Sequence, residues 1–148
     1  MTMRIDYGAA SPDTVNALYA TNKYLDGGHI DQVLRRYVEL RVSQINGCNY
    51  CIWLHSKQAR DLGEPEERID GIGNWREAVC YSAAERAALA WTESVTEITR
   101  GPPPDDLFDD LRAHFSEIEI VDLTVAVVNM NALNRVGISF GLEPPEVA

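Results

Sequence analysis

Apolar residues recur every three or four positions along most of this chain, and glycine, proline or asparagine residues end the runs. The clearest run spans residues 30–45, and Asn46-Gly47 follows it as a turn signal. Its repeated apolar positions are Ile30, Val33, Leu34, Tyr37, Val38, Val42 and Ile45. Such spacing places apolar side chains on one face of an α-helix. Residues 38–45 also resemble a strand, but the longer helical period prevails. The pattern therefore predicts an all-α helical bundle.

The remaining runs predict further helices and the breaks between them. Helices are expected over residues 13–26, 48–62, 82–98, 107–115 and 118–136. Ser82 with Glu85, and Ser116 with Glu119, have the capping-box spacing that begins a helix. Residues 64–75 contain proline and glycine, which predicts a short helical turn and a loop, and residues 101–104 predict a stiff linker. A chain of 148 residues has the length of one domain, so a single helical domain over residues 1–148 is expected.

The last predicted helix, residues 118–136, is apolar on more than one face. Such a helix lies either at the centre of a fold or against another subunit, so its surplus of apolar residues predicts a homo-oligomer. Polar residues interrupt it too closely for the roughly 20 apolar residues that a membrane crossing requires. These residues are Glu119, Asp122, Asn129, Asn131, Asn134 and Arg135.

The charge balance excludes two classes of partner. The chain has 13 basic and 23 acidic residues, a net charge of -10, which repels phosphate backbones and anionic lipid headgroups. We therefore expect no nucleic acid and no membrane partner. Residues 1–10 lack a basic stretch followed by an apolar one, so a cytoplasmic location is expected. Three cysteines, two of them in Cys-x-x-Cys, suit a reducing compartment with a working dithiol.

A possible thiol redox site lies at residues 39–55, where Glu39 precedes Cys48, Cys51 and His55. The thiolate is the reactive form of cysteine, so such a site must lower a cysteine pKa. The start of a helix favours an anion, and this effect favours Cys48 as the nucleophile. A histidine four residues along a helix can take a thiol proton, and this effect favours Cys51. We give the base more weight. Attack by Cys51 on a peroxide would leave a sulfenic acid, which Cys48 could convert into a disulfide.

Several residues keep alternative interpretations. The cysteine pair could be half of a zinc site, but His29, His114 and Cys80 lie at no recognisable ligand spacing, so redox chemistry is favoured. Cys80 is expected to be a buried, inert thiol. Glu39 falls opposite the apolar stripe of its helix, where a solvated carboxylate is the usual explanation.

Three further side chains near the site are left open by the pattern. Arg41 lies within the apolar stripe, where it could extend to solvent, pair with an acid or approach the site. Tyr50 and Trp53 could line the access path to the thiol, although aromatic residues at helical spacing more often belong to a core or an interface.

The chain resembles the alkyl hydroperoxidase D-like group of the carboxymuconolactone decarboxylase family. The resemblance lies in Glu39-x8-Cys48-x-x-Cys51-x-x-x-His55 and in the residues 40–47 between them, with weaker similarity at 85–89 and 131–135. It implies an all-helical fold that assembles into trimers or hexamers, and a cofactor-free peroxidase activity. It further implies that Cys51 is the peroxidatic thiol, Cys48 the resolving thiol, His55 the base and Glu39 the acid of a proton relay. Decarboxylating members lack the cysteine pair, so its presence argues against that activity here.

The sequence thus predicts an oligomeric thiol peroxidase without a cofactor or metal. Its expected partners are a hydroperoxide substrate and an external dithiol reductant, a lipoylated or thioredoxin-like protein, because an internal disulfide must be reduced after each turnover. One alternative is a protein disulfide oxidoreductase that uses the same dithiol. The others are a carboxymuconolactone decarboxylase-like protein without peroxidase activity, and a helical binding or assembly module with vestigial cysteines.

Overall fold

A computed structural model describes residues 3–146 of the chain, and in this range it contains helices and no strand. The all-α prediction is therefore confirmed. The α-helices are α1 (Tyr7–Ala10), α2 (Pro12–Asp26), α3 (Gln32–Asn46), α4 (Asn49–Asp61), α5 (Glu66–Asp70), α6 (Ala83–Thr96), α7 (Asp105–His114) and α8 (Glu117–Phe140). Short 3-10 turns lie at Gly71–Asn74 and Ile98–Arg100.

Local signals account for most of the helix ends. Both predicted capping boxes are present, because Ser82 and Ser116 each accept a hydrogen bond from the backbone three residues ahead and receive the reciprocal contact from a glutamate. Gly47 ends α3 in the left-handed region at φ 72°, which a residue with a Cβ adopts only with strain. The last helix is longer than predicted and ends at Phe140, with Gly141 as its C-cap, because Gly137 lies within it without breaking it. The four-residue α1 was not predicted.

Helix α3 is the centre of the fold and lies against α4, α6 and α8. One side of α3 packs in a core cluster with residues of α8, including Leu123 and Val127. Another side carries Tyr37 and Leu40 into a second cluster with residues of α4, α5 and α6. A helix surrounded in this way has no fully solvated face. Some of its polar residues, Arg35, Glu39 and Ser43, are therefore buried.

Helix α8 leaves an apolar strip exposed although it also contributes to the core. The strip consists of Ile118, Val121, Val128 and Ile138, each 45–59% exposed. The strip is consistent with the predicted oligomer, which stays a prediction. Among residues 3–146, no helix has the length and apolar character needed to cross a membrane.

The structure corrects one expectation outside the site and decides another. Cys80 is half-buried rather than buried, because it lies in the loop before α6 and not within a helix. Arg41 pairs with an acid, since its Nε donates to Glu93 Oε1 at 2.9 Å. His29, to which no function was assigned, donates its backbone N–H to Asp122 Oδ2 at 3.1 Å and ties the start of α3 to α8.

Candidate active site

Two cysteines meet across the first turn of α4. Gly47 ends α3, and the Cys48 backbone N–H donates to the Ser43 carbonyl at 3.0 Å, so the chain turns sharply into the next helix. Cys48 is the N-cap of α4, and its Sγ accepts the backbone N–H of Cys51 at 3.4 Å. The two residues form a disulfide with their Cα atoms 5.3 Å apart. The predicted pair is therefore together, and the sulfur of Cys48 occupies the anion-favouring position at the helix N-terminus.

Glu39 is buried, with 3% of its surface exposed, so the solvated carboxylate that is the usual explanation for its place on the helical wheel does not apply. The wheel counted only the apolar stripe, whereas α4 covers the remaining side of α3. Three cationic or polar groups surround the carboxylate. Arg35 Nε donates to Oε1 at 2.9 Å, Arg36 Nη1 donates to Oε2 at 2.7 Å, and His55 Nδ1 lies 3.2 Å from Oε2.

The Glu39 carboxylate is charged at neutral pH despite its burial. Burial alone would raise the pKa of this carboxyl group, since it disfavours the charged form. The hydrogen bond from His55 and the charges of His55, Arg35 and Arg36 outweigh burial and lower the pKa from 4.5 to about 2. A permanent negative charge therefore lies beside the imidazole.

The contacts of His55 determine which of its ring nitrogens is free. Nδ1 lies 2.9 Å from Gln58 Oε1 as well as 3.2 Å from Glu39 Oε2. Both oxygens are acceptors, so Nδ1 carries a proton and donates it. In the neutral ring Nε2 is then the atom that accepts a proton from a thiol. Gln58 was not predicted, although its spacing of three residues from His55 on α4 was the available signal.

Arg35 is a second residue that the sequence reasoning missed. It is 1% exposed, and besides Glu39 it donates to Asp26 Oδ1 at 2.6 Å and to Asn22 Oδ1 at 3.4 Å. Asn22 in turn accepts the amide of Asn129 at 2.8 Å, so the network joins α2, α3 and α8. The spacing of four residues between Arg35 and Glu39 was the only sequence signal for this pair.

Asparagine side chains hold the turn that precedes Cys48. Asn134 of α8 is fully buried and donates to Ser43 Oγ at 3.1 Å. Asn46 donates to Asn134 Oδ1 at 3.0 Å and to Asn131 Oδ1 at 2.9 Å. A buried polar group without a partner costs free energy, so these bonds specify how α8 docks on the turn and thereby where Cys48 lies.

A cavity gives access to one of the two sulfurs. It lies between α1, α2, α4 and α8 and is lined by Tyr7, Val15, Leu18, Tyr19, Asn22, Tyr50, Cys51, Leu54, His55, Met130, Leu133, Val136 and Leu142. Cys51 and His55 both line it, whereas Cys48 and Glu39 do not. The cavity volume is about 50 Å³. Tyr50 lines the cavity as one of the two predicted alternatives, and Trp53 packs on the Tyr50 ring at 5.6 Å.

Within residues 3–146, no three His, Cys, Asp or Glu side chains are grouped so that they could hold a metal ion. The site consists of a cysteine pair that can be oxidised or reduced, a histidine that can act as a base, and a buried carboxylate. These groups permit proton transfer from a thiol and reversible disulfide formation.

Two comparisons of the sequence find related proteins. Residues 11–94 match the model of the carboxymuconolactone decarboxylase family. The uncharacterized protein YdfG of Bacillus subtilis (strain 168) is 36% identical over 141 residues, which cover 95% of this chain and 96% of that protein.

Solved structures share the fold. The crystal structure of ATU0492 from Agrobacterium tumefaciens, a protein of unknown function for which an antioxidant defence role as AhpD has been suggested, is 38% identical with a TM-score of 0.96. The match covers 99% of this chain and 100% of that one. The debrominase Bmp8 is 22% identical with a TM-score of 0.83, over 93% of this chain and 74% of its own, and this likeness concerns the fold alone.

Proposed function

Because the chain belongs to the alkyl hydroperoxidase D-like group of the carboxymuconolactone decarboxylase family, we propose that it is a cofactor-free thiol peroxidase. It would reduce a hydroperoxide to an alcohol and water at the expense of an external dithiol. One observation carries the proposal: a cysteine of the disulfide-bonded pair and a histidine whose Nδ1 is engaged by acceptors line the same cavity, and a buried carboxylate contacts that histidine.

The first step is attack by Cys51 on the peroxide. His55 Nε2 takes the thiol proton, and the Cys51 thiolate attacks the outer oxygen of the O–O bond. The S–O bond forms as the O–O bond breaks, so the sulfur becomes a sulfenic acid and the leaving alkoxide takes the proton from His55. The position of Cys51 on the cavity wall, which Cys48 does not line, supports this assignment over the reverse one.

The second step is disulfide formation. Cys48 attacks the sulfenic sulfur of Cys51, the S–O bond breaks, and water leaves with the Cys48 proton. The position of both cysteines on the first turn of one helix supports a resolving thiol within the same chain, because the two residues lie close enough to form the disulfide.

An external dithiol then restores the enzyme, and we propose a lipoylated or thioredoxin-like protein for this role. Its thiolate attacks Cys51, the sulfur on the cavity side, and the Cys48 thiolate leaves. The backbone N–H of Cys51 and the helix N-terminus stabilise that departing charge. A second thiol of the reductant releases the mixed disulfide.

The test is a single turnover with peroxide in a Cys80→Ser background, which leaves only the two thiols of the site. Reduced protein is mixed with cumene hydroperoxide, and disulfide formation is followed by stopped-flow tryptophan fluorescence. Sulfenic acid is then trapped with dimedone in variants that carry either Cys48→Ser or Cys51→Ser. We expect trapping with Cys51 present alone and none with Cys48 present alone. The opposite pattern would exchange the two roles.

A second candidate is a protein disulfide oxidoreductase, favoured by the same N-cap sulfur of Cys48, because a stabilised leaving thiolate makes a disulfide an effective oxidant. If the reduced protein ignores peroxide but exchanges rapidly with disulfide substrates, this function replaces the peroxidase. If neither reaction occurs and both thiols titrate near the ordinary pKa of about 8.5, the domain is a binding or assembly module.

A further inference from the structure

A side-chain amide lines the thiol cavity and has no part in the reaction as described so far. It belongs to Asn22 of α2, which lines the cavity together with Cys51 and His55. The cavity volume is about 50 Å³, and a water molecule has a share of about 30 Å³ in the liquid. A peroxide group that lies against Cys51 therefore has little room to lie far from the other polar side chains of the cavity.

Two buried donors fix the orientation of the Asn22 amide. Asn129 Nδ2 donates to Asn22 Oδ1 at 2.8 Å, and Arg35 Nη2 donates to the same oxygen at 3.4 Å. A guanidinium group can only donate, so the atom that faces Arg35 is the amide oxygen. Arg35 is 1% exposed and Asn129 is 7% exposed. A flip of the amide would leave these buried donors without an acceptor, which costs free energy.

With its oxygen held, Asn22 has its amide N–H groups free for another partner. Both hydrogen bonds of this side chain within residues 3–146 are those that Oδ1 accepts. Every fully buried side-chain nitrogen or oxygen in that range has a hydrogen-bond partner. The Nδ2 atom is therefore not fully buried, and the cavity that Asn22 lines is open to it. Tyrosine hydroxyl groups also line the cavity, but they rotate about their C–O bonds, whereas the amide is fixed.

Arg35 connects this amide to the histidine on the other side of the site. Its Nε donates to Glu39 Oε1 at 2.9 Å, and Glu39 Oε2 lies 3.2 Å from His55 Nδ1. One buried guanidinium group thus holds both the carboxylate beside the base and the amide of the cavity. Its positive charge at Oδ1 polarises the amide, which makes the N–H groups stronger donors.

We propose that Asn22 is a further catalytic residue, whose Nδ2 donates a hydrogen bond to the peroxide oxygen that leaves. The inference rests on the proposed peroxidase function. As Cys51 attacks, the S–O bond forms, the O–O bond breaks, and its electron pair stays on the leaving oxygen. Nδ2 stabilises this charge until His55 delivers its proton. A donor that is already in place needs no reorganisation during the reaction. Asn129 and Arg35 act through Asn22 and are positioning residues.

Two substitutions of Asn22 remove the donor in different ways. Asn22→Leu has a similar size and lacks both the donor and the acceptor. Asn22→Asp lacks the donor but keeps an oxygen for Arg35 and Asn129, so the buried contacts survive if the leucine variant does not fold. Asn16→Leu is the matched control, because Asn16 is an exposed residue of the same helix and does not line the cavity.

The measurement compares three small electrophiles. All variants carry Cys48→Ser and Cys80→Ser, so that Cys51 is the one remaining thiol among the three cysteines of the chain. Its loss at pH 7 is followed by thiol titration of quenched samples. Ethyl hydroperoxide releases a strongly basic ethoxide, whereas peracetic acid, of similar size, releases a weakly basic acetate. Iodoacetamide reacts at carbon without an oxygen leaving group and reports how much thiolate is present and how readily it attacks.

The rate constant for each peroxide is divided by the rate constant for iodoacetamide in the same variant. This ratio cancels changes in the thiolate itself, including those caused by the charge of Asn22→Asp. Removal of one donor from an oxyanion hole costs about 10²–10³ in rate. We therefore expect both Asn22 variants to lower the ratio for ethyl hydroperoxide by at least about tenfold and that for peracetic acid by less than about threefold. Asn16→Leu should change neither ratio.

The outcomes separate this inference from the proposed function. Unchanged ratios in both Asn22 variants, an equal loss with the two peroxides, or the same loss in Asn16→Leu would overturn the role of Asn22 while leaving a peroxidase. If the protein with an intact Asn22 reacts with iodoacetamide but with neither peroxide, the proposed function fails, and the role of Asn22 fails with it.

Discussion

The buried carboxylate of Glu39 makes a quantitative prediction about acid stability. Its pKa is lowered from 4.5 to about 2 in the folded protein, where burial opposes the change and the His55 hydrogen bond and the neighbouring positive charges outweigh it. The folded state therefore holds this proton less tightly than the unfolded state does. Stability from this group is fully present above the unfolded pKa and is lost as the pH falls toward the folded one.

The magnitude follows from the two pKa values. At about 1.4 kcal/mol per pKa unit, the shift of Glu39 from 4.5 to about 2 corresponds to ~3 kcal/mol of folding free energy at neutral pH. By pH 3 about 2 kcal/mol of this is lost, because the unfolded chain is then mostly protonated at this group. Glu39→Gln has a similar shape and no charge, so it should cost ~3 kcal/mol at pH 7 and only ~1 kcal/mol at pH 3.

Urea denaturation of the oxidised protein at several pH values would measure this difference. Urea is preferred to guanidinium because added salt screens charges, and the protein concentration is held constant because an oligomer would couple assembly to stability. Glu97→Gln is the matched control, since Glu97 forms an exposed pair with Arg100 at 3.3 Å and such pairs contribute only about 0–1 kcal/mol. At each pH, the unfolding free energy of the wild type is subtracted from that of the variant, which cancels the contributions of the other titrating groups.

This reasoning would be refuted if the difference in unfolding free energy between the wild type and Glu39→Gln stayed constant from pH 7 to pH 3. It would mean that the carboxyl group is not an ionised, stabilised group in the folded protein. The proposed fixing of His55 by a charged partner would then lose its basis.

Three further predictions follow from individual contacts. Arg35→Met should destabilise the protein by about 3 kcal/mol and raise the pKa of Glu39, since it removes one of the charges that lower it, so the acid-induced loss of stability should begin at a higher pH in urea titrations. Gly47→Ala should cost about 1 kcal/mol in the same assay, because its φ is 72°, while Gly27→Ala at φ -104° should be tolerated. Ser116→Ala should lower the free energy of unfolding by about 1 kcal/mol through loss of the α8 N-cap, and an unchanged midpoint would show that the cap contributes nothing.

The parts of the fold that sequence reasoning predicted are those controlled by short-range interactions. The capping boxes at Ser82 and Ser116 and the turn at Gly47 involve residues within four positions of each other, so their spacing carried the information. The same holds for Cys48, Cys51 and His55, which lie on a single helix turn and the next.

The burial of Glu39 could not be predicted from the helical wheel because its environment depends on another helix. A helical wheel of α3 alone assigns a polar position to solvent. The packing of α4 against α3 is a tertiary contact, which the spacing of residues along α3 does not reveal. Arg35 was missed for the same reason, since an arginine on a helix is usually exposed. The spacing of four between Arg35 and Glu39 is informative only once both are known to be buried.

The charges around the site explain how its interior can tolerate the proposed proton transfer. Arg35 and Arg36 face the carboxylates of the buried Glu39 and of Asp26, whose side chain is 63% exposed, so the charges of this group are balanced before the reaction. Movement of a proton from Cys51 to His55 then creates one negative and one positive group in the cavity wall, and the new positive group forms beside Glu39. Because the sum of charges does not change, the desolvation cost of the thiolate is offset locally. A neutral residue at position 39 would leave the imidazolium without that partner, which is the role that the proposed mechanism gives to the buried carboxylate.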